Sequence, residues 1–444
     1  MKNTTLSLLM AAAVAAPLVA SAEDYDSILS DIGLSDAWEL SLTVFVDYGD
    51  NRDSVPDHYD ADVDEKYRYK KEDDVKFGIQ PRLTYNGRLS DAQTYALSYS
   101  PVYHYWDNPR VGSKKSEVSH MAYAEYKFAA DTRNVFTLRD DFKYFLDDRW
   151  YLDDNDVARS TAIDKKHVDH AQEHYDNTAS AKWDHQVSSR MAFSLKAYWN
   201  TIRYDDDDVA DMSDEDKYGL RLDVSRATSA QFNYGVFFHY RGWDEKDTAW
   251  TSEDGAYRTK KVERGIDTYT VGVAGSYRWD ERLTFNASYG WEWVDYESDS
   301  IDDRDFPGDL DVSATYAIDL RTRGVLGVRY YVSEAWVYPY ASQDLVSLYG
   351  TLQHTFSKSV TGRARVEYKT SEYDMKYVPE EARSEKFVYN HSGDKNELWL
   401  EVGANYRITQ NLNVDLSYSW QDVDSDVSAS YNENTVRARA TYLF

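Results

Sequence analysis

The sequence predicts an all-β protein, a transmembrane antiparallel up-and-down β-barrel of about 18 strands. Three observations predict it. Segments that alternate apolar and polar residues recur from residue 38 to residue 444. A sheet that crosses a bilayer needs one face for lipid and one for a polar lumen, so a period of two is physically required. The connections between these segments alternate short and long. Finally, Thr435 to Phe444 reads T-V-R-A-R-A-T-Y-L-F. Val436, Ala438, Ala440, Tyr442 and Phe444 share one strand face, and Thr435, Arg437, Arg439, Thr441 and Leu443 share the other. This pattern predicts the strand that closes an outer-membrane barrel. Tyr442 and Phe444 form the C-terminal barrel signal, and with it the barrel-assembly machinery becomes an expected partner.

Taken in order, residues 1–22 read as a secretory signal peptide. Met1-Lys2-Asn3 is a short basic start, Leu8 to Val19 is apolar, and Ala20-Ser21-Ala22 supplies small residues for cleavage. Residues 23–37 form a short periplasmic segment. They could fold as an amphipathic helix with Ile28, Leu29 and Ile32 on one side, or stay irregular. Residues 38–444 form the barrel domain. The expected strands cover roughly 38–48, 74–86, 93–105, 116–129, 133–146, 171–185, 190–204, 217–226, 230–243, 266–279, 283–297, 309–320, 323–336, 344–356, 360–373, 395–407, 411–424 and 433–444. Short turns follow the even strands, as at Trp279-Asp-Glu-Arg282 and Ile408-Thr-Gln410. Longer loops follow odd ones, at 49–73, 147–170, 244–265 and 374–394. That rhythm predicts periplasmic turns and extracellular loops. The segments at Arg133–Leu146 and Ala171–His185 alternate poorly, which predicts an inward bend or a different register.

Composition narrows the alternatives. The chain holds 39 Tyr and 13 Trp, more aromatic residues than a disordered acidic chain carries. Its mean hydropathy of -0.71 and the lack of a second long apolar run argue against helical spans. The net charge of -28 argues against nucleic acid as a partner. There is no cysteine, so closure of the barrel must supply the stability that disulfides give other exported proteins. Acidic runs at 60–65, 153–156, 205–208, 211–216 and 302–305 fall in expected loops. Either they are solvated surface charge, or they bind divalent cations and bridge to lipopolysaccharide. Outer-membrane lipid and lipopolysaccharide are the expected surroundings.

The opposite parity gives the lumen. Expected inward cations include Arg329, Arg363, Arg365, Arg407, Arg437 and Arg439, concentrated on the last strands. They could form a basic track for anions or for sugars with carboxylates. Alternatively they pair with Glu367, Glu397, Glu401 and Asp415 and fill the barrel. Tyr331, Tyr349 and Trp399 could add a stacking path for a saccharide ligand.

No cofactor or catalytic site is expected. His120 and His354 fall on the outward face without a serine partner. His167, His170 and His174 could hold a metal if their segment were helical, but loop histidines among acids are more often solvated. No nucleophile elbow or phosphate loop is present.

The stretch Tyr406-Arg-Ile-Thr-Gln-Asn-Leu-Asn-Val-Asp-Leu-Ser-Tyr-Ser-Trp420, the acidic loop after it, and Asn434 to Phe444 resemble the outer-membrane β-barrel proteins associated with bacterial exopolysaccharide secretion. Tyr277-Arg-Trp-Asp-Glu-Arg-Leu-Thr-Phe-Asn-Ala-Ser-Tyr289 repeats the pattern. The resemblance implies a porin-like conduit for a polysaccharide and a periplasmic export partner. Two classes stay open: a channel for (poly)saccharide or small hydrophilic solutes, and a closed structural or adhesin-type barrel whose acidic loops bind cations or partners. A channel would carry one loop folded inward, with 49–73 or 147–170 as candidates. For self-association, Ala314, Gly350, Gly362 and Ala364 offer a small-residue outward patch.

Overall fold

The computed structural model describes residues 37–51, 73–107, 115–147, 172–205, 214–253, 256–297, 302–335, 342–373, 393–426 and 430–444. The signal-peptide segment and almost all of 23–37 lie outside them. Among the described residues the period of two becomes eighteen strands: β1 (Trp38–Gly49), β2 (Asp74–Ser90), β3 (Gln93–Trp106), β4 (Ser116–Ala129), β5 (Asn134–Asp147), β6 (Gln172–Ser188), β7 (Met191–Tyr204), β8 (Glu215–Ala227), β9 (Phe232–Glu253), β10 (Ala256–Arg278), β11 (Leu283–Tyr296), β12 (Arg304–Ala317), β13 (Thr322–Glu334), β14 (Ser342–Thr355), β15 (Val360–Tyr373), β16 (Gly393–Arg407), β17 (Leu412–Ser425) and β18 (Tyr431–Leu443). Each pairs antiparallel with its chain neighbours. β1 also pairs with β18, so the sheet closes and no edge remains. At the seam Thr43 Oγ1 lies 2.9 Å from Thr441 Oγ1, and the Phe444 N–H donates to the Leu40 carbonyl at 3.0 Å.

All eight short turns use one device. Asp131, Asp280, Asp319, Ser229, Ser357 and Thr409 each accept the backbone N–H groups two and three residues on, at 2.6–3.2 Å. Ser90 and Ser188 each accept the N–H two residues on, at 3.3 Å. Short polar side chains mimic a backbone turn in this way and fix the reversal. The Asp or Thr that ends the repeated pattern, Asp280 after Tyr277-Arg-Trp and Thr409 after Tyr406-Arg-Ile, therefore has a physical role. The Arg133 N–H holds the Asp131 carboxyl below its ordinary range, and the Arg321 N–H does the same for Asp319.

Two sequence expectations need correction. The region 244–265 is no loop: the backbone of β9 runs to Glu253 and β10 begins at Ala256, making a long hairpin. The weakly alternating segments neither bend inward nor slip. β5 and β6 form an unbroken ladder, with Leu138 opposite Ala181 and Phe142 opposite Asn177. Alternation is weak there because the outward face itself carries Asp140, Asn177 and several alanines.

The wall departs from one layer at a single place among the described residues. β12 and β13 pair from Leu310↔Tyr330 down to Ala317↔Arg323, but β13 continues to pair with β14 up to Glu334↔Ser342. The parting lies next to Pro307-Gly308 and a bulge opposite Gly290–Glu292. Proline has no N–H for the ladder, and a bulge bends the strand that carries it. Above the parting, Tyr330, Val332, Ser342 and Asp344 continue the outward set of Val328, Val346 and Leu348. Yet they pack on the inward residues of β9–β11. Val332 and Tyr330 join Trp243, Ile266, Val294 and Tyr296 in one buried cluster. The Tyr296 hydroxyl is 2.6 Å from Ser342 Oγ, and Arg304 grips Asp344 through two hydrogen bonds of 3.0 and 2.9 Å. An outward face can meet an inward face only if the upper β13–β14 hairpin lies inside the wall formed by β9–β11.

Candidate functional site: a charged lumen narrowed at its mouth

The β17–β18 ladder fixes which way the terminal strands face. Leu412, Val414, Leu416 and Tyr418 stand opposite Tyr442, Ala440, Ala438 and Val436 on the outward side. Asn413, Asp415 and Ser417 stand opposite Thr441, Arg439 and Arg437 on the inward side. Propagating this parity places Arg329, Arg363, Arg365, Arg407, Arg437 and Arg439 in the lumen. Tyr442 lies outward, its ring 4.8 Å from that of Phe444.

These arginines divide into two groups. Arg363 is held between Glu401 (2.9 Å) and Asp415 (2.5 and 2.9 Å). Arg365 pairs with Glu367 at 2.7 Å and lies 4.7 Å over the Trp399 ring. Arg329 pairs with Asp311 at 2.9 Å and lies 4.7 Å over Tyr349. Each of these charges is matched, and the reading of paired wall residues describes them. Arg407, Arg437 and Arg439 have no carboxylate within ion-pair distance among the described residues. Arg439 instead lies over the inward Phe45 ring at 5.6 Å. Asp47 stands opposite Arg437 and Asp415 opposite Arg439 on the same inward face, neither within ion-pair distance of it.

Parity places Lys76 inward, but sequence reasoning missed the rings beside it. Phe45 faces inward, with His104 edge-on at 5.8 Å; His104 stacks on Trp106 at 5.6 Å, and Lys76 lies 5.2 Å over Trp106. Gly78 makes the room, since a Cβ there would lie 1.9 Å from the Phe45 ring. The signal was present in parity: Phe45 breaks an otherwise polar inward set.

Opposite this sector the lumen is narrowed by the tucked hairpin. Beneath it Arg241 donates to Glu292 at 2.7 Å, and Thr270 donates to the same oxygen at 2.9 Å. Glu292 is fully buried. Among the described residues the narrowing comes from β13–β14. The two loops expected for that role, 49–73 and 147–170, lie almost wholly outside the described residues. So do His167 and His170. His174 lies on strand β6, so helical spacing does not apply to it. Its ring is packed between Phe145 and Tyr204 at 4.2 and 4.8 Å. His120 and His354 face outward, bonded to the Tyr99 and Thr322 hydroxyls.

No protein-family model matches this chain, and no curated protein matches it. Solved structures do. The ferric enterobactin receptor of Pseudomonas aeruginosa, as a Q482A mutant in complex with enterobactin, superposes with a TM-score of 0.50 at 8% identity, over 92% of this chain and 82% of that chain. The fold is that of an outer-membrane β-barrel. OccAB3 of Acinetobacter baumannii is similar at a TM-score of 0.48 and 10% identity, over 92% of this chain and 99% of that one. At these identities the likeness concerns the fold alone.

Proposed function

We propose that this outer-membrane barrel is a channel for hydrophilic solutes and that its preferred cargo is an acidic saccharide. The observation that carries this reading is the set of inward arginines Arg407, Arg437 and Arg439, which form no ion pair among the described residues, beside neighbouring arginines that do. A guanidinium without a protein carboxylate can take a solute carboxylate bidentately, and nearby rings offer faces for stacking. Eighteen strands also give a cross-section wide enough for an aqueous path. The resemblance to exopolysaccharide-associated barrels favours a chain-like saccharide over a small acid. In that version a periplasmic export partner meets the end that carries the eight short turns.

The test is single-channel conductance of the refolded protein in a planar bilayer, with and without an anionic oligosaccharide. A stable ohmic current that the sugar blocks is the expected result. A correctly folded barrel that passes no current overturns the reading.

A further inference from the structure

Around most of the barrel, the outward residues in mid-strand are aliphatic, aromatic, glycine or proline. The set breaks at β5 and β6. Asp140, halfway along β5, is outward and exposed. It stands opposite Ala124 on β4 and Ala179 on β6. Among the described residues it has no hydrogen-bond or ion-pair partner. Asn177 lies diagonally across from it on β6, and its Oδ1 is buried without a hydrogen bond. Diagonal neighbours in an antiparallel pair are roughly 7–8 Å apart.

The shape of the surface changes at the same place. Ala124, Ala179, Ala181 and Ala197 line an outward depression of about 690 Å³. A second of about 390 Å³ adjoins it, and Leu97, Ala124 and Asp140 line both. Leu138 and Trp199 stand at the edge of the larger one, 53% and 57% exposed.

Hydrocarbon suits neither feature. An acyl chain offers a carboxyl or carboxamide no hydrogen bond, and an acidic group on the lipid face destabilises a barrel most at mid-depth. We propose that this face of β4–β7 binds a second copy of the same chain, about a two-fold axis passing between Asp140 and Asn177. The patch is self-complementary. It holds an acceptor carboxyl and a donor carboxamide, so each Asp140 meets Asn177 of the second copy. It also holds both protrusions, Leu138 and Trp199, and the alanine-lined hollows that receive them. Two-fold contacts need this self-matching, and small residues let backbones approach within a membrane. The small-residue patch expected from the sequence is partly filled by its own neighbours. Leu326 and Val366 already crowd Gly350, and the Phe356 ring lies over Gly362.

The absence of cysteine makes the test clean. Asp140→Cys and Asn177→Cys are each placed in the full chain, refolded, and treated with a short bis-maleimide. Leu326→Cys and Val402→Cys, on other outward faces, serve as controls. Covalent dimers at 140 and 177 but not at 326 or 402 are expected. Native mass spectrometry in detergent should give a dimer for the unaltered chain. It should give a monomer for Ala124→Trp, which fills the hollow, while the heat-dependent gel shift of a folded barrel is kept. A monomeric mass for the folded unaltered chain overturns the proposal, as does cross-linking that favours position 326. Either result leaves the channel reading untouched, because conductance is read separately.

Discussion

The strands from β15 round to β1 and those from β9 to β14 are built from the same ingredients: inward arginines, inward carboxylates and aromatic rings. Between β15 and β1 the wall is one layer, and Arg407, Arg437 and Arg439 face the lumen with no ion pair among the described residues. Along the upper part of β9–β11 the tucked β13–β14 hairpin adds a second layer to the wall. There Arg241 and Arg304 are locked to Glu292 and Asp344. The difference teaches that an inward arginine is clamped or left open according to its cross-strand neighbours and to what covers it, and composition alone does not decide.

Four measurements can break or sharpen that contrast. The largest effect is expected under the second layer. Glu292→Ala strands Arg241 beside a buried wall, and loss of one partner of a buried pair costs about 3–5 kcal/mol. Urea unfolding in detergent reads this directly; a change near zero would mean that the pair is not covered. Next, Asp344→Ala releases the Arg304 grip on the tucked hairpin, so single-channel conductance should rise. An unchanged conductance would show that this hairpin does not narrow the path.

On the single-layer side, replacing Arg437 and Arg439 by Gln should weaken block by an anionic oligosaccharide about tenfold, equivalent to ~1.4 kcal/mol. Arg363→Gln is the matched-charge control. It exposes Glu401 and Asp415, so reversal potentials should move toward cation preference with little change in sugar block. Equal loss of block in both variants would erase the distinction between matched and unmatched arginines.

The smallest effect concerns the turns. The carboxyls of Asp131 and Asp319 are held below their ordinary range by backbone N–H groups. A lowered folded-state value means that their contribution is complete above about pH 4 and is lost as pH falls through that lowered value. The urea midpoint should therefore fall in acid, and less so after Asp131→Asn with Asp319→Asn.

Much of the wall was legible in the residues. Alternation marks β17 because Leu412, Val414 and Leu416 must meet lipid while Asn413, Asp415 and Ser417 must not. The turns were legible because Asp, Ser or Thr recurs at the position that accepts the following N–H groups. Other features were hidden for physical reasons. Parity places Arg363 and Arg437 on the same side of the wall, yet only cross-strand neighbours decide that Glu401 and Asp415 enclose the first. Pro307-Gly308 signals a break in a ladder, but which layer then covers which depends on packing among Trp243, Val294 and Val332. The weak alternation at Asp140 and Asn177 reads as an inward bend or a different register, because polarity alone does not show which residues a strand pairs with.

The seam between β1 and β18 has a consequence for how this chain acquires its shape. Thr43 and Thr441, which touch there, are 398 positions apart. Hairpins can form from neighbouring strands at small entropic cost, but this contact demands that the whole chain be gathered first. Until then both seam strands present bare amide edges. Assembly should thus finish in one late, cooperative step, and substitutions along the seam should slow maturation of the ring far more than they alter any hairpin within it.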